Sequence, residues 1–188
     1  MIVDVDREDM FERFVSMSKK SRQEIEYYYF NSPTRHLFES GKLSPKHYYR
    51  EFVRELEMDM DFNEFREAYC NIFSLNKNVA ETIRKLKKRF RLVMLSNTDI
   101  LHFAYIKNKF AIVNIFDDYV LSYKVGCRKP NPLIFLKAIK KAKAMPFNCA
   151  YFDDIPNFVY VARLMGISAF QFKGYEKLRE DLKKIKVL

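Results

Sequence analysis

The chain has 188 residues, 48% of them hydrophobic and 16% aromatic, which is ample for a packed core and argues against disorder. No apolar run approaches the roughly 18 residues of a membrane-crossing helix. The formal charge of +10 is spread over stretches such as RKLKKRFR (84–91), KAIKKAKA (137–144) and REDLKKIK (179–186), which read as solvated helix faces rather than as a nucleic-acid-binding module.

The opening segment, MIVDVDREDM, has no basic flank and no long apolar stretch, so no secretory signal is expected there. Cys70, Cys127 and Cys149 are odd in number and far apart, which points to reduced thiols in a cytoplasmic protein. From residue 8 to 75 the pattern is helical with short breaks. Phe11, Phe14, Val15 and Ile25 recur at helical intervals, Ser44 and Pro45 mark a helix start, and Phe62, Phe65, Tyr69 and Phe73 repeat every three or four residues. A small all-helical unit with an aromatic lining is the expectation, its rings serving mainly helix–helix packing.

From residue 76 to 188, with 1–7 added, helices alternate with short apolar strands: RLVMLS (91–96), YVLS (119–122), CAYF (149–152) and ISAFQF (167–172). Continuous apolar strands between helices imply a doubly wound, mostly parallel, Rossmann-like α/β sheet buried on both faces. Ligands bind such sheets at the carboxyl ends of the strands. Three ends carry polar groups. Ser96 and Asn97 stop one strand ahead of a helix, either as a capping turn or as an anion site. Lys129 stands in GCRKP (126–130), a surface lysine or a fixed ammonium. Asp153 and Asp154 are adjacent, so their charges oppose one another unless a cation intervenes. They form a solvated turn or part of a magnesium site, since magnesium needs only one or two protein carboxylates.

In this order LSNT (95–98), GCRKPNPLIF (126–135) and YFDDIPNFVYVARLMGI (151–167) resemble motifs II, III and IV of the haloacid dehalogenase-like hydrolases, nearest to phosphatase-like members with a small helical cap. The resemblance implies a phosphatase of a small phosphorylated metabolite that works through an aspartyl-phosphate with Mg2+. Ser96 would bind the transferring phosphoryl with Asn97 nearby, Lys129 would neutralise charge, and Asp154 would hold magnesium with Asp153 beside it. Nucleic acid and membrane are not implied as partners. The alternative is a non-catalytic relative that binds phosphate or a partner protein.

The pattern departs from the family at the start. Motif I should end an apolar strand on a nucleophilic aspartate, yet the chain offers only MIVDVDRED. Either Asp4 is the nucleophile and Asp6 the acid/base, with Arg7 and Glu8 in unusual places, or this stretch resembles the segment downstream of motif I. On the second reading the nucleophile strand lies ahead of Met1.

Overall fold

The computed structural model describes residues 1–187. A three-residue strand, β1 (Val3–Val5), leads into α1 (Glu8–Ser16), α2 (Arg22–Asn31), α3 (Pro33–Glu39), α4 (Pro45–Glu55) and α5 (Phe62–Cys70). The helix starts follow from local chemistry. Ser21 and Asp61 form capping boxes with Glu24 and Glu64, while Ser32 and Ser44 cap helices whose first residue is proline. The aromatic repeats point inward: Phe14, Tyr29, Phe38, Tyr48, Phe52, Phe65 and Tyr69 are all at most 1% exposed. Phe38 stacks on Tyr48 with ring centroids 4.4 Å apart, and Phe65 on Tyr69 at 5.1 Å. These rings therefore build a core for the helical unit.

After α5 the chain returns through β2 (Phe73–Leu75), which pairs antiparallel with β1 and sets Asp4 opposite Ser74. The periodicity gives no warning of this ribbon, because three residues are too few for alternation to register. There follow α6 (Lys77–Lys87), β3 (Val93–Ser96), α7 (Ile100–Lys109), β4 (Asp118–Leu121), the single-turn α8 (Ser122–Val125), α9 (Pro132–Ala142), β5 (Ala150–Asp153), α10 (Pro156–Leu164), β6 (Ser168–Gln171) and α11 (Tyr175–Lys184). The α/β alternation matches the sequence pattern, with boundaries displaced by a residue or two.

Side chains alternate across the strands as pleating requires. Val93, Leu95, Val120, Tyr151 and Ala169 join Ile134, Phe135, Val159 and Ala162 of α9 and α10. Met94, Tyr119 and Leu121 face Ala80 and Phe103, and Phe152 faces Val79, Leu178 and Leu182. The strands thus lie between two helical layers, with Ile2 and Ile83 packed against both clusters of the second layer. The four parallel strands are not one hydrogen-bonded sheet. β3 pairs with β4 and β5 with β6, both in parallel, as two separate two-stranded sheets. No helix among the described residues is long and apolar enough to cross a membrane.

The helical unit meets the α/β part at a close backbone approach. Gly41 has φ +71°, and a Cβ there would lie 2.0 Å from the carbonyl oxygen of Tyr123. Gly41→Ala is expected to lower unfolding stability by about 1–3 kcal/mol, read from a urea midpoint at unchanged slope. Unchanged stability would contradict the contact.

Candidate active site

Ser96 ends β3, and the turn that follows is fixed from several directions. Ser122, fully buried, accepts from the Thr98 amide and donates to the Thr98 carbonyl, both at 2.9 Å. Asp99 caps α7 by accepting from the His102 amide and also accepts from the Tyr69 hydroxyl at 3.0 Å. Its carboxylate lies 2.8 Å from His102 Nδ1. Burial alone would raise the Asp99 pKa, but His102 and Tyr69 outweigh it and hold the carboxyl below its usual range. This network ties α5 of the helical unit to the loop beside Ser96. The Ser96 hydroxyl is half-buried, and its one hydrogen bond among the described residues is a long one of 3.4 Å to the adjacent Asn97 carbonyl.

Asn97 acts on the neighbouring loop. Its side-chain NH2 donates to the Lys129 carbonyl at 2.9 Å, and its side-chain oxygen accepts from the Lys129 amide at 2.7 Å. This two-point clamp holds the backbone of Lys129, whose side chain is directed to the end of β5. The Lys129 ammonium donates to Asp153 Oδ2 at 2.5 Å, and both side chains are only 7% exposed. Tyr151 Oη donates to the same oxygen at 2.5 Å, and the Ile155 amide donates to Oδ1 at 3.0 Å. Burial works to raise the Asp153 pKa, while Lys129, Tyr151 and the Ile155 N–H together pull it below the ordinary value. Burial and the adjacent carboxylate raise the Tyr151 phenol, so it remains a donor.

Ser96, Asn97, Lys129 and Asp153 thus form one connected group at the carboxyl ends of β3 and β5. Asp154 is exposed beside it, and its carboxylate takes part in no hydrogen bond or ion pair among the described residues; only its backbone oxygen accepts, from Gln171 at 3.1 Å. It does not cap α10, whose start has no side-chain cap. Asp4 makes no hydrogen bond or ion pair with this group among the described residues. Pairing with Ser74 fixes it on the β1–β2 ribbon, where it is exposed and its side-chain partner is Asn76 at 3.4 Å.

No cluster of three or more Cys, His, Asp or Glu converges among the described residues. The Asp153–Asp154 pair nevertheless offers the oxygen donors of a hard divalent ion, which accepts one or two carboxylates when water and phosphate complete its shell. Sequence reasoning missed Tyr151 and the ion pair of Arg128 with buried Glu39 of α3, 2.7 Å. The i, i+2 spacing of Tyr151 and Asp153 on one strand was a usable signal for the first. The second joins positions 89 residues apart, with nothing local to announce it.

Asp153→Asn leaves the buried Lys129 ammonium without its counter-charge and is expected to cost about 3–5 kcal/mol, whereas exposed Asp154→Asn is expected to stay within about 0.5 kcal/mol. The carboxyls of Asp153 and Asp99 are depressed on folding, so their stabilisation is complete above the unfolded carboxylate value of about 3.9 and is lost as pH falls through their lower folded values. Chemical denaturation of the three proteins across the acid range checks both points. Equal costs for the two asparagine substitutions would contradict the assignment of the ion pair.

Residues 11–166 match the haloacid dehalogenase-like hydrolase family. The chain is 23% identical over 189 residues to a D-ribitol-5-phosphate phosphatase of Bacteroides thetaiotaomicron, covering 97% of this chain and 92% of that protein. Its fold resembles that of a haloacid dehalogenase (HAD) family enzyme of the same organism, solved with magnesium and inorganic phosphate (TM-score 0.82, 23% identity, 92% and 89% of the two chains). It also resembles a HAD-like hydrolase from Porphyromonas gingivalis (TM-score 0.83, 21% identity, 98% and 93%). With the family matched over most of its length, on a helical unit joined to an α/β core with polar strand ends, this chain belongs to the haloacid dehalogenase-like hydrolases.

Proposed function

We propose that the protein is a cytoplasmic, magnesium-dependent phosphatase acting on a small phosphorylated metabolite. The observation that carries this reading is the buried Lys129–Asp153 pair, whose lysine backbone is clamped by Asn97, the residue after Ser96, and whose aspartate precedes the exposed Asp154. The phosphate-releasing activity in the name of the Bacteroides relative, and the magnesium and phosphate in the related structure, support it.

On this reading the Ser96 hydroxyl donates to a phosphoryl oxygen. Lys129, positioned by Asn97 and charged beside Asp153, offsets negative charge that grows as phosphorus is attacked. Asp154, with Asp153 behind it, would hold the magnesium ion, which supplies Lewis-acid polarisation of the phosphate when bound. An aspartyl-phosphate route needs an attacking carboxylate as well. Within the cluster Asp153 is already engaged by Lys129 and Tyr151, and Asp4 stands on the ribbon with Asn76. A second reading is phosphate binding without turnover.

The test is phosphate release from ribitol 5-phosphate and from p-nitrophenyl phosphate, with and without magnesium, alongside calorimetry with inorganic phosphate. Magnesium-dependent release is expected, falling about 10²–10³-fold in Lys129→Met. Magnesium-dependent phosphate binding without release would support the second reading, and neither release nor binding would overturn both.

A further inference from the structure

Helices α9 and α10 pack side by side and share one core. Ile134 and Phe135 of α9 and Val159 and Ala162 of α10 turn inward and are buried. The outer flanks are fixed as well. Lys141 of α9 reaches Asp118 at the start of β4, and Arg163 of α10 donates to the Ala169 carbonyl of β6 at 2.8 Å. With about 100° of rotation per residue, Leu136 falls on the α9 flank opposite Lys141, and Leu164 on the α10 flank opposite Arg163. Both therefore border the seam between the two helices.

That seam is apolar and open. Leu133, Leu136, Met145, Phe147, Tyr160 and Leu164 are each between 53% and 69% exposed. Met145 and Phe147 belong to the turn after α9, which lies under the end of α10: a Cβ on Gly166 would be 3.5 Å from Pro146. A residue of this size has about 200 Å² of free surface, so the six together leave about 700 Å² to solvent. Monomeric proteins rarely expose a contiguous apolar patch above about 600 Å², and one side of a specific interface buries about 800 Å². The rim is basic. Lys137, Lys140 and Lys143 are exposed, and among the described residues Lys141 is the one lysine of this stretch in an ion pair. Between Asp118 and Glu176 the chain has no acidic residue besides Asp153 and Asp154, which precede α10.

We propose that the α9–α10 seam docks an acidic amphipathic helix of a partner protein. Charge decides the occupant. A second copy docked on the same face about a two-fold axis would set lysines against lysines, with no carboxylate on either helix to meet them. A helix with an apolar stripe and Asp or Glu on its flanks satisfies the apolar seam and its basic rim together. The stripe, at i, i+3 or i+4 and i+7, would lie along Leu136, Tyr160 and Leu164, in a groove between helices that the ridges of a third can enter. Its carboxylates would fall beside Lys137, Lys140 and Lys143. α9 is 11 residues long, so about three turns of partner helix cover the seam. The face includes none of Ser96, Lys129, Asp153 and Asp154, so docking and turnover are separable.

The test uses the full chain and a fluorescein-labelled synthetic helix of about 14 residues, with leucines three and four apart and glutamates beside them. Anisotropy titration at low salt is expected to show saturable binding with a dissociation constant of about 10 μM. Leu136→Glu, and separately Lys137→Glu combined with Lys140→Glu, should each weaken it about tenfold. Circular dichroism should not change, because all three positions are exposed. Tyr27→Glu, at an exposed aromatic of α2, should leave binding as it was. Lysines in place of the peptide's glutamates should weaken binding about tenfold. No binding below about 1 mM, equal binding of the lysine peptide, or full binding by both α9 variants would overturn the proposal. So would a dimer in sedimentation that Leu136→Glu dissolves, which would assign the face to a second copy. Flotation with phosphatidylcholine–phosphatidylserine vesicles that the same change abolishes would overturn it too, in favour of a membrane surface.

Discussion

The contact on which the α/β part depends is the buried ion pair of Lys129 with Asp153. Neither charge is tolerable alone in that position, because an unpaired ion with 7% side-chain exposure loses most of its hydration. Each therefore makes the other obligatory, and the pair joins two strand pairs that share no ladder. The surrounding groups serve it: Asn97 fixes the lysine backbone, Tyr151 and the Ile155 amide donate two further hydrogen bonds to the carboxylate, and the Phe158 ring lies 5.0 Å from the ammonium. On the proposed phosphatase reading, a cation so placed would meet a phosphoryl group with little reorganisation.

A parallel logic operates at the joint between the helical unit and the core. Asp99 is at once a helix cap, an acceptor for Tyr69 and the partner of His102, whose ring stacks on that of Tyr69 at 4.1 Å. Arg128, next to Lys129, pairs with buried Glu39 of α3. Both loops of the candidate site therefore have a contact reaching into the helical unit, so displacement of that unit is felt at Ser96 and at Lys129 together.

Much of this was legible in the sequence. Ser44-Pro45 and Asn131-Pro132 announce their helices because capping is chemistry local to two or three residues. The apolar strands were legible because burial on both faces leaves a continuous run, and the strand-end rule then picked out Ser96, Lys129 and the two aspartates as candidates. What stayed hidden depends on partners distant along the chain. Nothing near Asn97 says that its amide will clamp the backbone of residue 129. Nothing in the adjacent pair Asp153-Asp154 says which carboxylate turns inward to the lysine.

The helical core is drawn from a continuous stretch, Met10 to Ile72, with residues of α7 and β2 packed only at its margin. Its contacts close short loops, whereas the core around α9 and α10 gathers segments from Val93 to Ala169. Low contact order favours rapid formation, and synthesis proceeds from the amino end. The helical unit is therefore the part that can condense while the strands bearing Ser96, Lys129 and Asp153 are still being made, giving the later α/β segments a finished surface on which to assemble.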